Sequence, residues 1–118
     1  MTAEKKNLSS PDDSRTFEKG KMEMVTVGDQ TIGRYTFEPG WKWSEHVGPG
    51  VGADVCQSSH FLYQISGRMH IAMSDGSEYD VEPGDVCAVA PGHDAWVVGE
   101  ETVVGIDVSG LADYASPS

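Results

Sequence analysis

Apolar and polar residues alternate along most of this chain with a period of two, most clearly in His60 to Gly67, HFLYQISG, which runs straight into RMHIAM. Alternation sets His60, Leu62 and Gln64 on one face and Phe61, Tyr63 and Ile65 on the other, which predicts a strand with both faces buried. Gly67 breaks the run. Residues 68–74 then resume it, with Met69, Ile71 and Met73 opposite Arg68, His70 and Ala72, which predicts an antiparallel hairpin partner. A histidine and a glutamine directed at an interior need partners there, because an unpaired polar group away from water costs about 1–3 kcal/mol.

The same pattern organises the remainder. Lys21 to Val27 and Thr31 to Phe37 alternate on either side of Gly28-Asp29, a turn pair, and so predict a hairpin. Glu38-Pro39-Gly40 stops it, since proline has no ladder donor and glycine admits positive φ. Trp41 to His46 is expected to be a further strand, and VGPGVGADV after it a loop at the rim of a site. Glu78 to Val81, Val86 to Ala90, His93 to Val98 and Thr102 to Val108 complete a set of short strands separated by Gly, Pro and Asp turns. No helix of usual length is expected, so the fold class is all-β, a sandwich or barrel. The tripeptide EPG occurs at Glu38 to Gly40 and at Glu82 to Gly84, each followed by a strand that reaches a histidine, His46 or His93, as two similar halves closing on each other would show.

Length and charge narrow the picture. The 118 residues suit one domain, with residues 1–15 expected to be a disordered polar arm, 16–110 the barrel and 111–118 a tail with at most a helical turn. If the arm orders, pairing onto a sheet edge is the cheapest way. Lys5, Lys6, Arg15 and Lys19 balance Glu4, Asp12, Asp13 and Glu18, so the whole net charge of −11 lies beyond residue 20. A globule that acidic repels nucleic acid and anionic membranes and favours small or cationic partners. No run of eighteen apolar residues and no secretory leader pattern is present, and two cysteines are too few for a disulfide framework, so a cytoplasmic location is the expectation.

Three of the four histidines, His46, His60 and His93, are predicted to meet in one interior. His70 shares a face with Arg68 and reads as a surface residue. Three imidazoles from three strands, with positions left open, are what a catalytic divalent ion requires, whether zinc, iron, manganese, nickel or copper. Gln64 faces the same way as His60, as an outer hydrogen-bond donor, a weak fourth ligand or a contact to a bound molecule. Cys56, four residues before His60, has a spacing compatible with a ligand, although a free cysteine is most often a small buried apolar group; for Cys87 that plain reading holds clearly. Glu45 reads as exposed. Trp41, Trp43 and Trp96 with Tyr63 and Phe61 either line a pocket for a small molecule or fill core and interface. With His60, Leu62 and Gln64 inward, the stripe of Phe61, Tyr63 and Ile65 needs covering by a second sheet or a homodimer partner.

These residues resemble the cupins, small double-stranded β-helix barrels of the jelly-roll type. The family's first motif, Gly, five residues, His, one residue, His, three or four residues, Glu, six residues, Gly, is matched by Gly40 with His46 and by His60 with Gly67. The second, Gly, five residues, Pro, one residue, Gly, two residues, His, three residues, Asn, is matched by Gly84 and by Gly92. The departures are Gly48 at the second histidine, His60 at the glutamate, Ala90 at the proline and Ala95 at the final histidine, with His93 two residues earlier on the same strand face. The resemblance implies a metal-binding barrel acting on a small organic molecule, nearest in ligands to the three-histidine cupins, among which iron dioxygenases are common. The alternative it leaves open is a non-enzymatic module that holds a metabolite or ion.

Overall fold

A computed structural model describes residues 2–108; the expected tail at 111–118 lies outside them. Nine strands and two single-turn helices follow one another in the described chain: β1 (Asp13–Phe17), β2 (Gly20–Val27), β3 (Gln30–Phe37), α1 (Trp43–His46), α2 (Gly48–Val51), β4 (His60–Ser66), β5 (Arg68–Met73), β6 (Glu78–Val81), β7 (Val86–Val89), β8 (His93–Val98) and β9 (Val103–Asp107). They form two antiparallel sheets, one of six strands in the order β1-β2-β3-β9-β4-β7 and one of three in the order β6-β5-β8. Between them lies one apolar core that includes Met22, Phe37, Trp41, Leu62, Ile71 and Val103.

The β2–β3 hairpin forms as its pattern predicts, with Val27 opposite Gln30 across Gly28, whose φ is +59°. Residues 13–15, expected in the arm, belong instead to β1, which pairs along the edge of β2 from Asp13↔Met24 to Phe17↔Gly20. That is the edge pairing open to a polar segment too poor in apolar residues to make its own core.

Two expectations around β4 are corrected. The alternation along β4 is as read, but only its inner face is buried: Phe61, Tyr63 and Ile65 are 52%, 48% and 48% exposed. Nor do β4 and β5 form a hairpin. β4 pairs with β7 and β9, whereas β5 pairs with β6 and β8, so Gly67 carries the chain from one sheet to the other. Gly67 has φ +71°, and a Cβ there would lie 2.7 Å from Thr102 O and 2.9 Å from Val103 Cα, so the crossing needs a residue with no side chain.

The third correction is at 43–46, where a strand was expected and a helical turn is found. Its start is pinned to β8 by Lys42, which bridges to Trp96, and by Ser44, whose N–H and hydroxyl donate to the Asp94 carboxylate at 3.0 and 2.7 Å. The parity that placed His46 inward therefore does not apply.

Candidate metal centre

The inner face of β4 delivers His60, 8% exposed, and the inner face of β8 delivers His93, 5% exposed. Cys56, 2% exposed, reaches the same spot because the segment before β4 is tied to β8: its N–H donates to His93 O at 2.7 Å, and its own carbonyl accepts from Gly92 N–H. The potential ligand atoms of Cys56, His60 and His93 all lie within 4.8 Å of one another. The two imidazoles meet edge to face, centroids 5.2 Å apart at 72°.

Each ring is oriented from behind. His60 Nδ1–H donates to Asp107 Oδ2 at 2.5 Å, and Asp107 Oδ1 accepts from Phe61 N–H at 3.2 Å. His93 Nδ1–H donates to Ala90 O at 2.9 Å. Both rings thus carry the Nδ1–H tautomer that leaves Nε2 for a metal, the arrangement by which carboxylates and carbonyls position metal-ligating histidines. His60 Nε2 faces Cys56 Sγ at 3.6 Å. Burial alone would raise the Cys56 thiol, but hydrogen bonds with His60 and His93 outweigh it and bring it down to about 6. Burial would lower His60, but the Asp107 and Cys56 contacts prevail and raise it to about 9. The opposite directions mean that the Cys56 and His60 side chains each favour the charged form of the other. One thiolate from the segment before β4 and two imidazoles from β4 and β8, with a fourth position left open, fit a divalent transition ion.

A cavity of about 40 Å³ adjoins the group, lined by His60, His93 and Asp107 and otherwise by apolar and aromatic side chains including Trp41, Trp43 and Tyr35. Among the described residues, Trp41 Nε1 and Trp43 Nε1 are buried with no hydrogen-bond partner, a condition that costs about 1–3 kcal/mol per donor.

The expected site residues are distributed as follows. His60 and His93 come together, and Cys56, expected behind the ligands or in the pocket wall, stands with them as a third donor. His46 does not join them. It closes α1, where its Nδ1 accepts from Lys42 N–H at 2.9 Å and its Nε2 lies 3.2 Å from Glu18 Oε2. Gln64, fully buried, accepts from Tyr35 OH at 2.7 Å and donates to Gly67 O at 3.2 Å, so it cross-links β3 to the sheet crossing and does not line the cavity. Trp43 does line the cavity, whereas Tyr63 faces outward. Asp107 was not singled out by the sequence reading. Its signal was there, a lone carboxylate on the inward parity of the apolar run VVGIDV. A signal for Cys56 was present too: three residues separate it from His60, the spacing between the second histidine and the glutamate in the first cupin motif.

No family model and no curated protein matches the chain. Solved structures do. A mutant of Bacillus subtilis oxalate decarboxylase superposes with a TM-score of 0.63 at 22% identity, over 87% of this chain and 29% of that one, so the chain spans less than a third of that enzyme's length. A cupin-like protein from Thermotoga maritima gives 0.55 at 18% identity, over 79% of this chain and 70% of that one. The 11S allergen of Cocos nucifera gives 0.60 at 18% identity, over 98% and 35%. At these identities the likeness concerns the fold: two facing antiparallel sheets of a cupin barrel.

Proposed function

We propose that this protein is a small metal-binding cupin in which Cys56, His60 and His93 hold one divalent transition ion, with Asp107 orienting His60, and that its chemistry on a small molecule takes place at that ion. The observation that carries the reading is the fixed tautomer of both imidazoles, each tied at Nδ1 and presenting Nε2 beside a cysteine sulfur. A thiolate in the set favours zinc or copper over iron or manganese, because a soft anionic donor replaces one neutral imidazole. This weakens the dioxygenase-like oxidoreductase reading, which was built on three neutral histidines. The narrow cavity favours a second reading: a binding module that keeps an ion without turning over an organic substrate, for which pockets of roughly 300 Å³ or more are usual. Two free thiols suit a reducing compartment, so a cytoplasmic location belongs to the reading, as does a second copy of the chain over the outward stripe of β4.

Elemental analysis and zinc titration of wild type and four variants test it. Cys56→Ser, His60→Ala and His93→Ala should each lose stoichiometric metal, while His46→Ala should retain it. Absence of metal from wild type, or equal loss in His46→Ala, would overturn the assignment. Turnover of any organic substrate by the loaded protein would favour the enzyme over the module.

A further inference from the structure

β6 and β7 each end a sheet, and among the described strands each pairs on one side only, β6 with β5 and β7 with β4. The sandwich is unclosed along this seam. Register turns Tyr79 and Cys87 toward the interior there, because Tyr79 lies opposite Ile71 and Cys87 opposite Leu62, both of them buried. Yet Tyr79 is 53% exposed. An inward-facing tyrosine half in water marks an opening, and a cavity of about 310 Å³ lies at the seam, with Met73, Tyr79, Cys87 and Val89 among its walls. That volume falls in the range of small-molecule pockets, about 300–1,000 Å³.

The seam stands one ladder rung from the metal centre. Met73 lies directly opposite His93 and Val89 directly opposite His60, and side chains so opposed share a face at roughly 5 Å. Val89 and Ile71 line both this cavity and the narrow one beside His60 and His93, so these two aliphatic side chains are common to both spaces. The wall at Tyr79 is held in place. Its chain neighbours Glu78 and Asp80 both bond to His70 on the outer face of the sheet.

The lining narrows the guest. Apolar carbon and the sulfurs of Met73 and Cys87 make the walls, and Tyr79 adds an aromatic ring. The charged group is Asp75, whose carboxylate accepts from the Ser77 hydroxyl and, at 2.9 Å, from Ser77 N–H; these bonds hold its pKa below the ordinary value and keep it ionised at neutral pH. A carboxylate has lone pairs for more than two donors. No lysine or arginine is among the lining residues, and the chain carries a net charge of −11, so an anion is repelled while an ammonium gains a charged acceptor near an aromatic ring. We propose that the seam between β6 and β7 binds a small primary amine carrying a single aromatic ring, its ammonium at Asp75 and its ring against Tyr79 and Met73, next to the metal centre. For the ion beside the guest this rests on the metal reading; the pocket itself is independent of it.

Calorimetric titration of the zinc-loaded full-length protein with phenethylamine, and with phenylacetate as the anionic counterpart, tests this. Phenethylamine should bind saturably and slow the alkylation of Cys87 by iodoacetamide, followed by peptide mass spectrometry, and phenylacetate should do neither. Asp75→Asn and Tyr79→Ala, both at exposed positions, should take up zinc as wild type does and bind phenethylamine about tenfold more weakly. Zinc uptake without saturable amine binding, equal affinity for phenylacetate, or unchanged affinity in both variants overturns the amine site and leaves the metal reading intact. If wild type takes up no zinc, the metal reading fails, and the same titration on metal-free protein decides the pocket: saturable binding with protection of Cys87 upholds it, and its absence overturns it.

Discussion

Asp107 shows how much one carboxylate can decide. It is 2% exposed and selects the His60 tautomer by accepting at Nδ1. Asp107→Asn preserves shape but exchanges the charged acceptor for an amide, and should lower metal affinity by about 10–100-fold, as removal of such an outer partner does elsewhere. Competition with a chromophoric chelator would measure it, and an unchanged affinity would remove Asp107 from the site. Gly105 is a second case. A Cβ on it would run into the hydroxyl of Tyr35, the group that donates to Gln64. Gly105→Ala should therefore destabilise the fold by about 1–3 kcal/mol through overpacking, read as a lower urea midpoint with an unchanged m-value. At this scale much was legible: alternation alone turned His60 and Gln64 inward. It could not say that Gln64 is consumed by Tyr35, because its partner lies on a strand 29 residues away.

Elements add constraints that no single residue carries. On the outward face of the β6-β5-β8 sheet, His70 Nδ1 meets Asp80 at 2.8 Å and Nε2 meets Glu78 at 2.7 Å, while its ring lies against Trp96. The hydrogen bond to Asp80, then that to Glu78, raises the His70 pKa above its ordinary value. Because the folded value is the higher one, the stabilisation is fully present below the unfolded pKa of about 6.5 and is lost as pH rises through the folded value. Urea midpoints of wild type and His70→Gln should accordingly differ more at about pH 5.5 than at about pH 9; a constant difference would mean that the ring contributes by packing alone. The sequence reading put His70 at the surface, but the two carboxylates that flank it come from β6, one strand over. The same kind of limit misplaced His46. Period two describes residues 41–46 only if they extend, and the Ser44–Asp94 clamp between α1 and β8 winds them into a turn instead.

For the whole molecule the open question is the outward stripe of the six-stranded sheet. Phe61, Tyr63 and Ile65 on β4 and Val86 on β7, itself 61% exposed, lie side by side on paired strands, Tyr63 directly opposite Val86. Contiguous apolar surface of this kind is commonly a subunit contact, and an isologous pairing would cover both copies at once. Sedimentation velocity should show a dimer for wild type and a monomer for the double variant Tyr63→Lys and Ile65→Lys, with metal content unaltered because neither side chain lines the cavity. A monomeric wild type would leave the stripe for a different partner.

Period-two alternation, turn residues at regular intervals and inward histidines were written in the primary structure, because each depends on neighbours within a few residues, where backbone geometry dictates which side a group faces. The all-β class followed from them, as did His60 and His93 as inward groups. What only the folded chain decided was company: that Gly67 passes the chain between sheets, that Cys56 and not His46 stands beside the two imidazoles, and that Asp107 waits behind one of them. Those outcomes come from pairings between strands tens of residues apart, where register and the pinning of one turn by Asp94 choose the neighbour, and no local pattern encodes that choice.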